Sequence, residues 1–169
     1  MNATKDSQPD TTKNRTTVEP KSEREIVVTR TFDAPARIVF KAWTTPELFK
    51  RWWVPKSMPL ALLSYEADFR AGGGYRLVFD VDGTKTMAFF GKYLEVTPHS
   101  RIAWTNDESG EDGAVTTVTF EEKGDKTLMV LHELYRSQEV RDAALASGAY
   151  DGMSETFGQL DEVLVTLGA

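Results

Sequence analysis

The stretch 149–167, AYDGMSETFGQLDEVLVTL, decides how the chain folds. Tyr150, Met153, Phe157, Leu160, Leu164 and Leu167 recur in it at alternating steps of three and four, the apolar stripe of one amphipathic helix of about five turns. Asp151, Ser154, Glu155 and Glu162 fall on the opposite side. Withdrawing large side chains from water stabilises by about 1.5–3 kcal/mol each, so this stripe is worth on the order of 10 kcal/mol, an upper bound because unfolded chains are already partly collapsed. A broad apolar surface has to cover it.

Working outward from the helix, Ser137 reads as the N-cap of a short helix through Leu145, which Ser147-Gly148 ends. Gly152 and Gly158 fall inside the expected long helix at a cost of about 1 kcal/mol each, and Gly152 beside the stripe allows a close approach. Nearly everything from Leu60 to Tyr135 alternates with a period of two. The expected strands are Leu60 to Phe69, Tyr75 to Asp80, Lys85 to Val96, Arg101 to Thr105, Val115 to Glu122 and Thr127 to Tyr135. Asp82-Gly83 and Lys123-Gly124-Asp125 are hairpin turns, and Asn106 to Gly113 reads as an acidic loop. Gly72-Gly73-Gly74 is a turn or bulge, since no helix and no Lys-Ser/Thr follow to make a phosphate cradle.

Further toward the N-terminus, Arg24 to Phe32 is a first strand, with Arg30 on the parity of Ile26, Val28 and Phe32. Two short helices interrupt it from the rest. One starts at Asp33-Ala34-Pro35 and turns Ile38, Val39, Ala42 and Trp43 inward; the other starts at Thr45-Pro46-Glu47 and carries Leu48, Phe49, Trp52 and Trp53. Their aromatic density suits a plug for one open end of a curved sheet. Residues 1–22 are polar and of mixed charge, and read as a disordered tail before one domain over residues 23–169. The pattern is α+β: about seven antiparallel strands curved around the long C-terminal helix, with no βαβ alternation.

Composition narrows the function. A net charge of −6 over 169 residues, without a basic cluster, speaks against nucleic acid as a partner. No run is long and apolar enough for a membrane span, and MNATKDSQPD lacks a signal peptide's apolar centre, so a cytoplasmic location is expected. With no cysteine and only two histidines, His99 and His132, no metal and no other cofactor is expected. Glu66 and Asp68 share a strand face near Arg70 and Arg76, a pattern open to acid–base work or to a plain solvent face.

Particular residues carry a family resemblance: Thr31-Phe32-Asp33-Ala34-Pro35, Ala42-Trp43-Thr44, Pro46-Glu47, Arg51-Trp52-Trp53, Gly72-Gly73 and the TVTFE run at 117–121. Together they resemble the bacterial family named for the activator of the heat-shock-protein-90 ATPase, over roughly Arg24 to Leu167. The resemblance implies the helix-grip fold of the START-like superfamily, shared with lipid-transfer domains, the major birch allergen and polyketide cyclases, in which sheet and long helix enclose an apolar cavity. It supplies no common catalytic triad or metal site. Val54 stands where relatives usually have glycine, and Gly152-Met153 where they have Gly-Trp; methionine for tryptophan removes ring volume and changes cavity shape.

The expected function is binding of an apolar small molecule, lipid-like or aromatic, between sheet and C-terminal helix. Candidate contacts are Trp43, Trp52, Trp53, Phe69, Phe79, Phe89, Trp104, His132, Tyr135, Met153 and Phe157. The alternatives are a cyclase- or hydrolase-like enzyme using His132, Glu66 or Arg76, and an interaction protein with a chaperone or regulatory partner.

Overall fold

A computed structural model describes residues 15–168 of the chain. Eight strands form one antiparallel sheet: β1 (Thr17–Pro20), β2 (Glu25–Phe32), β3 (Leu60–Ala67), β4 (Gly74–Val81), β5 (Lys85–Thr97), β6 (Arg101–Thr105), β7 (Val115–Lys123) and β8 (Lys126–Leu134). Their spatial order is β1-β2-β8-β7-β6-β5-β4-β3, so β2 pairs with the last strand, β8, and β1 and β3 form the two edges. Among the described residues, four α-helices complete the fold: α1 (Ala36–Thr44), α2 (Pro46–Phe49), α3 (Gln138–Ala146) and α4 (Met153–Thr166). This is the α+β helix-grip arrangement that the resemblance implies.

Period-two burial builds the sheet. Ile26, Val28, Arg30 and Phe32 of β2 are buried in alternation, as are Val118 and Phe120 of β7 and Met129 and Leu131 of β8, and Phe120 registers opposite Met129. Asp82 and Gly83 both take positive φ, 57° and 71°, which the tight β4–β5 turn requires and Asp-Gly tolerates best. At the β3–β4 turn a Cβ on Gly73 would lie 2.1 Å from the Asp68 carbonyl oxygen, so the triple glycine serves a close backbone approach. Ser137 caps α3 as expected, its hydroxyl accepting from Val140 N–H. Thr45, expected to cap α2, makes no side-chain cap bond, and that helix is a single turn led by Pro46.

Several expectations need correction. There are eight strands, not seven: Thr17–Pro20, assigned from composition to the polar tail, pairs with β2 from Thr17↔Thr29 to Pro20↔Ile26. Its backbone satisfies an edge of β2 that would otherwise lack partners, a reason for order that hydropathy does not register. Residues 1–14 of the expected tail lie outside the described residues. Residues Asp107–Asp112 form short 3-10 turns broken by a kink at Gly110 (φ 59°, ψ −133°) within what read as an open acidic loop.

The C-terminal helix has 14 residues rather than five turns, because residues 147–152 turn through Gly148 at φ +85° and Gly152 occupies the N-cap position. Tyr150 is buried from that turn, not from the helix. The buried face of α4 is also broader than the stripe: Thr156, Gln159 and Val163 join Phe157, Leu160 and Leu164, while Met153 and Leu167 are half-buried.

Helix α4 is tied to β2. Phe157 sets its ring edge-on to Phe32 at 6.0 Å, and Asp161 accepts from Arg30 at 2.5 Å. The shared parity of Arg30 with the apolar set suits a strand-end head in solvent or an anion handle in a cavity, but Arg30 does neither: it is a buried cation that pins the helix to the sheet. Burial lifts the Asp161 carboxyl above the usual carboxylate range, with the Arg30 contact opposing that rise.

Candidate functional site

The plug is made by chain geometry. Helix α1 buries Val39, Phe40, Ala42 and Trp43, Pro46 turns the chain at once into α2, and the following bend brings Trp52 and Trp53 back against Trp43. Trp52 is fully buried and donates from Nε1 to the Ala42 carbonyl at 3.1 Å, which fixes the return.

Under this plug lies a cavity of about 260 Å³. Trp43, Phe49, Trp53, Val54 and Pro55 form its roof, and residues of β3 to β6 form its walls: Leu60, Tyr65, Tyr75, Leu77, Phe79, Met87, Phe89, Tyr93, Ile102 and Trp104, with Phe69 and Asn106 completing the lining. Rings contact rings around it: Phe49 stacks on Trp53 at 4.6 Å, Phe69 meets Tyr93 at 5.3 Å, and Phe79 meets Phe89 edge-on at 5.4 Å. None of the described lining residues is charged. An ion brought here would lose its hydration with no opposite charge to replace it.

The roof is held from behind by α4. Gln159 Nε2 donates to the carbonyls of Trp52 and Val54, both at 2.9 Å, and its Oε1 accepts from Lys56 N–H at 2.9 Å. Glu155 accepts from the Ser57 amide and hydroxyl at 3.0 and 2.6 Å. Gly152 makes room for this loop, since a Cβ there would lie 3.1 Å from Pro55 Cγ and 3.0 Å from Met58 Cε. The close approach expected at Gly152 is therefore that of the loop.

A polar network runs from the cavity wall into the neighbouring core. Asn106 donates to Ala114 O and Thr116 Oγ1, Thr116 donates to Glu133 at 2.9 Å, and Glu133 accepts from the hydroxyls of Tyr135 and Tyr150. Burial, then the Glu133 carboxylate, push both phenols upward, so they stay protonated donors.

Of the residues expected at the site, Trp43, Trp53, Phe69, Phe79, Phe89 and Trp104 line the cavity, and five do not. Trp52 and Phe157 are fully buried core, Met153 packs half-buried against that core, and Tyr135 is spent on Glu133 and Tyr150. His132 faces the other side of the sheet, 3.4 Å from Glu25, because Met129, Leu131 and Glu133 take the inward parity of β8. The cavity also lies elsewhere than expected: no residue of α4 lines it, and its lid is the plug. Glu66 and Arg76 register opposite each other on exposed positions, so with His132 they form no converging group. The polar wall residues Tyr65, Tyr75, Tyr93 and Asn106 went unselected, although the alternation of Tyr75 with Leu77 and Phe79 marks an inward tyrosine.

Solved structures share this fold. A protein from Rhodobacter sphaeroides superposes with a TM-score of 0.82 at 22% identity, covering 90% of this chain and 99% of that one. One from Nitrosomonas europaea gives 0.78 at 24% identity over 88% and 98%. The AHSA1-like protein from Aeromonas hydrophila gives 0.63 at 17% identity over 84% and 94%. No curated protein matches the sequence. The family profile described as "Activator of Hsp90 ATPase homolog 1-like protein" matches residues 33–165, from the turn before α1 to the end of α4, and the chain belongs to that family.

Proposed function

We propose that the chain binds an apolar small molecule in the cavity beneath the plug. The observation that carries this reading is a hollow of about 260 Å³ walled by rings and aliphatic side chains, with no charged residue among those described. Interiors otherwise pack to near-crystalline density, and an apolar void of this size forfeits dispersion contacts that a ligand would restore. Trp43, Trp53 and Trp104 in its lining also provide an internal reporter.

The test is a thermal-shift and tryptophan-emission titration with naphthalene, biphenyl and decanol. A ligand at 100 times its Kd stabilises by about 2.7 kcal/mol, which for a chain of this size raises Tm by roughly 5–10 °C. Unmoved Tm and unmoved emission with all three would overturn the reading.

A further inference from the structure

We propose that the cavity's ligand is an uncharged molecule with a hydrogen-bond acceptor, of the ketone or ester class, which takes an O–H from the Tyr65–Tyr93 pair. This rests on the binding reading above and specifies its chemistry.

Tyr65 on β3 and Tyr93 on β5 both line the cavity and are 9% and 4% exposed. Their hydroxyls stand 3.5 Å apart, at the outer limit of a hydrogen bond, and each has the other as its one partner among the described residues. Two phenols carry two donors, and a mutual bond can use only one. The second O–H is left without an acceptor, which is unfavourable in a buried apolar setting.

The other hydroxyl and amide donors of the lining are engaged within the protein. Tyr75 donates to Thr105 O at 2.6 Å, and the Asn106 amide donates to Ala114 O and Thr116 Oγ1 at 2.8 and 2.9 Å. Trp43 Nε1 has no acceptor, but it is fully enclosed, and the Trp43 ring lies among those of Phe49, Trp52, Trp53, Trp104, Phe120 and Phe157. Among the hydroxyl and amide donors of the lining, the tyrosine pair is thus where a ligand's acceptor can gain a directed bond at a buried wall position.

Both phenols keep their protons. Burial pushes Tyr65 up to about 12 and moves Tyr93 in the same direction, so the pair offers donors and no anion at neutral pH. The lack of a charged lining side chain argues against an ionised ligand as well. The volume, about 260 Å³, lies just under the roughly 300–1,000 Å³ usual for drug-sized ligands and suits a molecule of two or three rings.

The experiment compares three probes on the full chain: 2-acetylnaphthalene, its near-isostere 2-ethylnaphthalene, and 2-naphthoate. Calorimetric or tryptophan-quenching titrations should rank the ketone about 10-fold tighter than the hydrocarbon, with the carboxylate weakest. The Tyr65→Phe/Tyr93→Phe variant, its fold checked by thermal melting, should lose the ketone's advantage and keep its affinity for the hydrocarbon. If the double variant melts early, Tyr65→Phe and Tyr93→Phe are titrated separately: the one that removes the hydroxyl the ketone accepts from should narrow the ratio, and an unchanged ratio in both would overturn the proposal. Equal wild-type affinities for ketone and hydrocarbon, or a preference that survives loss of both hydroxyls, would overturn this proposal and leave the binding reading standing. If none of the three binds, this proposal falls, and the binding reading is decided by naphthalene, biphenyl and decanol.

Discussion

The two halves of the sheet are built from the same alternation and end in opposite states. Under α4, the half formed by β2, β8 and β7 is solid: Val28, Phe32, Met129, Val118, Phe157 and Leu160 are essentially inaccessible, and Arg30–Asp161 ties the layers together. Under the plug, the half formed by β3 to β6 turns Tyr65, Leu77, Phe79, Phe89, Ile102 and Trp104 toward a cavity. The difference lies in what covers each half. A continuous helix lets its side chains interdigitate with a strand face, whereas a one-turn helix and a proline-punctuated loop span the sheet without filling the space below.

That contrast breaks most readily at Phe157. Its ring is 1% exposed and meets Phe32, Trp52 and Trp43 at 6.0–6.4 Å, so Phe157→Ala should cost about 3–5 kcal/mol in urea unfolding. Phe89→Ala, which removes the same atoms from the wall of an existing void, should cost less than half as much. Equal losses would mean that the two halves are equally packed.

How far this was legible depended on what each residue's neighbours supply. Strand alternation, the plug and the Ser137 cap follow from local chemistry and could be read directly. The parity of β8 could not, because Leu128, Val130 and Leu134 make its outer face as apolar as Thr127, Met129 and Leu131 make the inner one; His132 and Glu133 were therefore exchanged. Aromatic richness announced a cavity but not its position, since Trp52 and Trp53 are adjacent in sequence and only one lines it. The Gln159 amide and the terminal nitrogens of Arg30 are buried because partners distant in the chain satisfy them. Their roles are properties of the tertiary structure.

Arg30→Met tests the ionic tie of the solid half. Loss of the cation leaves Asp161 half-buried without its partner, at an expected cost of about 2–3 kcal/mol at pH 7. The pH dependence has a definite sign. A carboxyl whose folded pKa is above its unfolded value contributes stability when protonated, below the unfolded pKa, and loses that contribution as pH rises through the folded pKa. Removing Arg30 takes away what opposes the rise, so the variant's deficit should shrink between pH 7 and pH 4, and Arg30→Met/Asp161→Leu should recover most of it. A deficit independent of pH would locate the cost in packing instead.

Gln159→Ala probes the seam between the halves. It strips partners from Trp52 O, Val54 O and Lys56 N–H, of which the first is in the buried interior, and should cost about 2 kcal/mol. Hydrogen exchange should locate the effect, with Lys56 losing protection while β2 and β8 keep theirs.

The smallest effect is the most discriminating. Leu77 lines the cavity and Val118 lies in the solid half with no exposure at all, so enlarging each to phenylalanine asks whether there is space to receive the added atoms. Val118→Phe should lose about 1–3 kcal/mol by overpacking, as filled interiors do. Leu77→Phe should stay within about 1 kcal/mol of the parent, because its ring can enter the void and gain dispersion contacts there. The same substitution should abolish the naphthalene-induced Tm shift while Val118→Phe, if folded, retains it. A Leu77→Phe protein as destabilised as Val118→Phe would mean that the hollow closes in solution, and the distinction between the two halves would go with it.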